Sequence, residues 1–212
     1  MATTRSDSRA GGEGRLDCSR MRNWEIGVAP DAIPSEEYAA QEFQRWFGEA
    51  TGIHLPIRSG QDAPDLVRIG SALPADALGE EGLRIAVEKD RLSIVGGRPR
   101  GTLYGVYQFL EDFLGVRFLT HDHTHVPDAT ASSIPCGTCS YVPPLSYRYS
   151  YYFENSEHPE FAARLRVNTV TDEERLGGKT RQNLINHSVG RLVPFDRFGK
   201  TGLQQNLWVK NE

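Results

Sequence analysis

The sequence predicts an α+β fold, in which an antiparallel or mixed sheet is backed by two helices and is followed by the first β/α units of an incomplete (β/α)8-type barrel. Three observations favour it: short alternating apolar runs, two longer segments with apolar residues at three- and four-residue steps, and a second strand-like run after a proline-rich stretch. The corresponding divisions are a disordered tail (1–23), an α+β domain (24–119), a linker (120–144) and a partial barrel segment (145–212).

The first predicted elements are a strand and a helix. Residues 24–29 (WEIGVA) alternate apolar and polar side chains, which is typical of a half-buried strand. Ser35 is the expected cap of the following helix, and Gly52 is its expected end. One face of this helix is apolar and consists of Ala39, Phe43, Trp46, Phe47 and Ala50.

Three strands and a second helix complete the predicted domain. Residues 66–70 and 83–87 are expected strands, and a turn at Asp90-Arg91 leads back into the strand 92–95. The second helix is expected between Pro99 and Gly115, with apolar residues at helical spacing. This order predicts one layer of sheet with both helices on one face.

The glycine-rich turn before the second helix has some features of a phosphate site. A strand, glycines and a helix N-terminus are the elements of many nucleotide sites. The spacing from Gly96 to Gly101 matches neither G-x-G-x-x-G nor a P-loop, and Pro99 lacks the N–H that a phosphate would use. The pattern therefore favours a packing turn.

The predicted linker contains possible zinc ligands. His121, His123 and His125 alternate, and Cys136 and Cys139 form one C-x-x-C motif. A single C-x-x-C in a proline-rich stretch is usually incidental, and no helix signal follows it as a redox motif requires. We therefore expect no metal and no cofactor, with a zinc-stabilised interaction module as an alternative.

The last predicted segment has the pattern of one β-α-β step, with strands at 147–153 and 167–170 and a helix at 159–166. In a barrel, the residues beyond the carboxyl ends of strands carry the chemistry. The candidates for a ligand-facing rim are Glu154, Asn155, Glu157, Asn168, Thr169, His187 and Ser188. Of these, Glu154, Asn155, Asn168 and His187 are the expected substrate-binding residues. Each of the candidates is otherwise explained as a solvated loop residue or a helix cap, and most of Tyr149, Tyr151 and Tyr152 are expected in the core.

Two stretches resemble known families. GGRPRGTLYGVYQFLEDFLGVRFLT resembles the N-terminal domain of family 67 alpha-glucuronidases and the second domain of family 20 hexosaminidases. The stretch that begins RYSYYFENSEHPEFAARLRVNTV is similar to the start of the barrel in a glycosidase-like family that carries this domain. The resemblance implies a sheet backed by a long helix, carbohydrate as the partner, and glycoside hydrolysis as the activity of the whole protein.

Chain length limits that activity. Glycoside hydrolysis usually needs two opposed carboxyl groups, and a complete barrel takes about 200 residues or more. Only 69 residues remain from Pro144 to Glu212. The sequence therefore predicts an N-terminal fragment of a glycoside-hydrolase-like protein that is inactive alone, its catalytic residues unknown and lying beyond residue 212. The alternative is a non-catalytic carbohydrate-associated or scaffolding module.

Composition argues against other partners. The formal net charge is −4, so the chain lacks the basic footprint of a nucleic-acid-binding protein. No apolar run approaches the length of a membrane span. The polar N-terminus lacks the apolar segment of a secretory signal, so we expect a cytoplasmic location, although relatives of this family are often exported.

Overall fold

The computed structural model describes residues 10–59, 66–70, 78–169 and 171–180. Apart from Thr180, they belong to one compact unit, Met1–Lys179. None of the helices in these ranges is both long enough and apolar enough to span a membrane.

The centre of the fold is a mixed sheet of seven strands within the described ranges. In chain order the strands are β1 (Ala10–Asp17), β2 (Glu25–Val28), β3 (Ile57–Ser59), β4 (Leu66–Ile69), β5 (Leu83–Val87), β6 (Arg91–Gly96) and β9 (Ser133–Tyr141). The spatial order is β1-β9-β5-β6-β4-β2-β3. The pairs β2/β3, β2/β4 and β4/β6 are parallel, whereas β5/β6, β5/β9 and β1/β9 are antiparallel. The predicted mixed sheet and the β5/β6 hairpin are confirmed.

The first helix, α1 (Pro34–Thr51), begins one residue before its expected cap. Proline suits the first turn because its missing N–H needs no partner there. The N–H of Ile33 instead donates to the Glu36 carboxylate at 3.1 Å, and the Ser35 hydroxyl donates to the carbonyl of Pro99. Gly52 ends the helix with φ 69°, as the sequence predicts.

The second helix, α2 (Gly101–Phe113), follows β6 after a turn in which backbones lie very close together. The helix begins two residues after Pro99, later than expected, because the turn occupies residues 97–100. The chain leaves the helix at Gly115, where φ is 75°. The buried side of α2 consists of Leu103, Tyr104, Val106, Tyr107, Phe109 and Leu110.

Both helices lie on one face of the sheet, because they contact one another while α2 also contacts β5 and β6. Phe43 of α1 and Phe109 of α2 have ring centroids 5.5 Å apart, and Phe43 stacks on Phe47 at 5.2 Å. These rings join the strand residues in one hydrophobic cluster. The prediction of two helices on one face is confirmed.

The expected disordered tail is wrong for residues 10–23. Residues 10–17 form β1 at the sheet edge beside β9, and Cys18–Asn23 form a 3-10 helix. Leu16, Cys18 and Met21 are fully buried. A long-range partner therefore orders a segment whose composition is polar, and residues 1–9 lie outside the described residues.

The expected linker is also wrong in part. Arg117–Phe118 (β7) and Thr124–His125 (β8) form a small antiparallel pair, and β9 lies within the main sheet next to β5. Ile134 of β9 is buried in the main core. Proline and serine content indicated an interdomain strap, but hydrogen bonds to both β1 and β5 make β9 an interior strand.

The expected β-α-β step is not observed in the described residues. Neither 147–152 nor 167–169 forms a strand; residue 170 is outside the described ranges. The observed elements are α3 (Phe153–Glu157), α4 (Pro159–Arg164) and a 3-10 helix at Glu174–Leu176. An extended segment becomes a strand only when a neighbour supplies its hydrogen bonds, and no described segment does so for 147–152. The incomplete barrel stays a prediction.

Candidate functional site

Glu154, an expected substrate-binding residue, lies in the first turn of α3 and contacts His121. His121 stands in the turn between β7 and β8, so the pair joins two distant parts of the chain. The Glu154 carboxylate accepts hydrogen bonds from the His121 backbone N–H at 3.1 Å and from His121 Nδ1 at 2.6 Å. Both side chains are partly exposed.

The ring of His158, between α3 and α4, stacks on the ring of His121. Their centroids are 3.7 Å apart and their planes differ by 3°. The hydrogen bond to Glu154 raises the pKa of His121, and the same hydrogen bond lowers the pKa of Glu154. This arrangement favours a protonated His121 beside an ionised Glu154.

The pair should therefore respond to pH within a defined window. The contribution of His121 to the stability of the folded state is present below its ordinary pKa of 6.5 and is lost as the pH rises through the raised pKa. The contribution of Glu154 to stability is present above its ordinary pKa of 4.5 and is lost as the pH falls through the lowered value.

We expect Glu154→Gln to shift the His121 pKa down toward 6.5 in an NMR titration, because the hydrogen bond to the carboxylate is what raises it. Glu49→Gln, on α1, serves as the control, and an unchanged His121 pKa in Glu154→Gln would contradict the pairing.

Beside the stacked rings lies a cleft of about 250 Å³, called here the imidazole cleft. Its walls include His121, Glu157, His158, Phe161, Arg164 and Glu173. Charged and aromatic groups thus line the same small space, which no pattern in the sequence indicated.

The other two described residues that were expected to bind substrate, Asn155 and Asn168, are not part of the His121–Glu154 pair. Asn155 is partly exposed in α3, and its backbone N–H donates to the Tyr152 carbonyl at 3.1 Å. Asn168 is only 1% exposed. Its side chain donates to Glu81 at 2.8 Å and accepts from the backbone N–H of Arg148. His187, like Ser188, lies outside the described residues. The burial of Asn168 gives it a structural role, and sugar contact by any of these residues stays a prediction.

Asn168 belongs to a buried polar network that the sequence analysis missed. Glu81 accepts from Arg100 Nε at 2.9 Å and from the Arg148 guanidinium at 2.5 Å. Arg100 also donates to the carbonyl of Gly177 at 3.0 Å. The network therefore connects Arg148, Asn168 and Gly177 to the sheet domain.

A second buried network, centred on Glu42, connects α4 to α1. Glu42 accepts hydrogen bonds from Trp46 Nε1 at 3.1 Å, from the Tyr107 hydroxyl at 3.0 Å and from Arg164 Nε at 3.2 Å. The Arg164 guanidinium also lies over the Trp46 ring, 5.3 Å from its centroid. One signal was available in the sequence, since a glutamate on the apolar face of α1, four residues before Trp46, needs a buried partner.

The possible zinc ligands do not gather. Cys136 and Cys139 lie three positions apart on β9, so their side chains point to opposite faces of the sheet. His121 is paired with Glu154. No group of three or more His, Cys, Asp or Glu side chains that could hold a metal ion occurs in the ranges that the structure describes. The zinc-stabilised module has no geometric support there.

Two of the three tyrosines that were mostly expected in the core, Tyr151 and Tyr152, are exposed. Tyr151 and Tyr152 are 58% and 79% exposed, and the neighbouring Phe153 is 74% exposed. Only Tyr149 is partly covered, through a hydrogen bond of its hydroxyl with Ser156 at 3.0 Å.

Residues 22–136 match the family model described as glycosyl hydrolase family 20, domain 2. This range is more than half of the 212-residue chain. No curated protein matches the chain. The match supports the family 20 part of the expected resemblance, whereas the family 67 part stays a prediction.

Solved structures of larger enzymes are similar to the chain. The chitobiase of Flavobacterium johnsoniae is 16% identical with a TM-score of 0.50, and the match covers 76% of this chain and 25% of the other. The exo-β-N-acetylglucosaminidase of Vibrio harveyi, in complex with N-acetylglucosamine, is 13% identical with a TM-score of 0.50 and coverages of 78% and 25%. The β-N-acetylhexosaminidase of Streptomyces coelicolor A3(2) is 17% identical, with a TM-score of 0.46 and coverages of 68% and 26%. The chain thus spans about a quarter of the length of these structures, and such identities show the fold alone.

Proposed function

The chain belongs to the family of glycosyl hydrolase family 20, domain 2, and from this premise we propose that it is a non-catalytic, carbohydrate-associated domain of a glycoside-hydrolase-like protein. Its role is to support the segment that follows the sheet domain, and its partner is carbohydrate.

The state of the carboxylates supports a non-catalytic role. Glu36, Glu42 and Glu81 are buried, and each is ion-paired with an arginine. The surroundings lower the pKa of three described carboxyl groups, those of Asp122, Asp128 and Glu154. A glycosidase instead needs one carboxyl group with a raised pKa to protonate the leaving group.

The observation that carries the proposal is the pair of buried networks. The Glu81 network reaches Arg148 and Asn168, and the Glu42 network reaches Arg164. Phe161 and Leu176 add apolar contacts to the same core. Since a buried ion pair is costly to break, these contacts hold residues 145–169 in one place against the sheet domain.

Carbohydrate as the partner is supported by the surface beside α3. The exposed rings of Tyr151, Tyr152 and Phe153 present flat apolar faces with a polar hydroxyl edge on the tyrosines. Such rings combine apolar contact with hydrogen bonding, which suits a sugar with an apolar ring face and hydroxyl edges.

The test is hydrolysis by the chain alone. We expect no release of 4-nitrophenol from 4-nitrophenyl N-acetyl-β-D-glucosaminide above the spontaneous rate. In the same protein, the hydrogen-bonded backbone amides of Ala162 and Leu165, in and just after α4, should exchange with deuterium as slowly as those in the interior of α1. Turnover that survives repurification and is lost when a carboxylate is replaced would overturn the non-catalytic role, and rapid exchange of α4 would overturn the supporting role.

A further inference from the structure

We propose that the imidazole cleft binds a single uncharged pyranose unit. The proposal rests on the carbohydrate association proposed above and adds a specific place and ligand class. It concerns the space between the β7–β8 turn and the α3–α4 junction, where His121 stacks on His158.

The size of the cleft limits its ligand. Its volume of about 250 Å³ is below the range of roughly 300 to 1,000 Å³ typical of sites for drug-sized molecules. A single pyranose ring suits such a space, whereas a disaccharide would place its second ring outside the cleft.

The cleft offers both a buried donor and an accessible acceptor. Arg164 is only 7% exposed, and its Nε is occupied by Glu42. Arg164 is also one of the residues that line the cleft. The Glu157 carboxylate, also at the cleft, has no hydrogen-bond partner among the residues described. A guanidinium donates hydrogen bonds and a carboxylate accepts them, so one sugar hydroxyl can accept from Arg164 while a second donates to Glu157.

The remaining walls suit the apolar face of a sugar ring. Pro159 and Phe161 are among the lining residues, together with the imidazoles of His121 and His158, which stack on each other. Small-molecule sites typically combine such apolar walls with a few placed polar groups.

Charge selects against acidic sugars. Glu157, Glu160 and Glu173 line the cleft, and Arg175 pairs with the latter two at 2.5 and 2.6 Å. The charge of Arg164 is offset by Glu42. The site is therefore net negative at neutral pH, so a uronate carboxylate would be repelled while an uncharged pyranose would not.

The test compares D-glucose with D-glucuronate, which differ at the C6 carboxylate. With about twelve heavy atoms and ordinary ligand efficiency, glucose should bind with a Kd of about 2 mM. In an NMR titration we expect saturable shifts of the His121 and His158 ring protons and none of the exposed His54. Glucuronate should bind at least about tenfold more weakly at pH 7.5.

Glu157→Ala should weaken glucose binding at least about fivefold, because Glu157 is the accessible acceptor. The matched control is Glu88→Ala, an exposed glutamate on the β5–β6 hairpin, which should bind glucose as the unaltered protein does. Absence of saturation by about 100 mM glucose, equal affinity for glucuronate, or an unaffected Glu157→Ala variant would overturn the cleft assignment. None of these results would alter the deuterium-exchange test of the supporting role, so the two proposals can fail separately.

Discussion

Gly97→Ala is expected to destroy the folded state, with a loss of more than about 4 kcal/mol of unfolding free energy. A Cβ atom at position 97 would lie 1.6 Å from the carbonyl oxygen of Gly79. The backbone there has little freedom to retreat, since Gly97 N–H donates to the Gly82 carbonyl at 2.8 Å and Gly82 N–H donates to the Leu78 carbonyl at 2.9 Å. The total free energy of unfolding of a domain is about 5–15 kcal/mol, so the variant should be largely unfolded.

The measurement is urea unfolding followed by the fluorescence of the buried Trp24 and Trp46. The control is Gly48→Ala in α1, where the nearest atom to the new Cβ is the Ile53 carbonyl oxygen at an ordinary 3.6 Å. That variant should be more stable by about 0.5–1 kcal/mol, because alanine favours the helix. A Gly97→Ala protein with the midpoint of the unaltered chain would refute the close approach at this turn.

Glu81→Gln is expected to lower the unfolding free energy by about 3–5 kcal/mol. Glu81 is 7% exposed and neutralises Arg100, which is 4% exposed, and Arg148. A neutral amide leaves these guanidinium groups without a buried counter-charge, and its NH2 group adds a donor where acceptors are needed. Deuterium exchange should accelerate across residues 145–169 more than in α1, because Arg148 and Asn168 lose their common partner.

The adjacent glutamate provides the control. Glu80 also pairs with Arg100, at 3.2 Å, but its side chain is 74% exposed. Glu80→Gln should therefore cost less than about 1 kcal/mol, as is usual for solvated ion pairs. Equal losses in the two variants would mean that burial does not determine the strength of this network.

The elements that sequence analysis found are those with strong local patterns. Apolar spacing and the closing glycines Gly52 and Gly115 predicted α1 and α2, and alternation with a two-residue turn predicted the β5/β6 hairpin. In each case the information lies within about twenty residues of chain, so no distant partner has to be known.

The elements that sequence analysis missed depend on pairing with strands that are distant in the sequence. β1 and β9 are ordered by pairing across more than one hundred residues, from Leu16 to Ile134, and neither has a strong pattern of its own. The aromatic run from 147 to 153 has a strand-like composition but no described neighbour to pair with, and Tyr152 is exposed instead of buried. Strand propensity describes fit to a sheet surface and cannot supply the neighbouring strand.

The sequence by itself determined a sheet with two helices on one face and a tight glycine turn, because periodicity and backbone freedom are local properties of the chain. Only the tertiary structure decided where the charged residues act. Arg100, Glu81 and Asn168 lie far apart in sequence and meet in one buried network, while His121, Glu154 and His158 meet beside the imidazole cleft. Burial turns these charges into strong, specific contacts, and burial is a property of the folded chain as a whole.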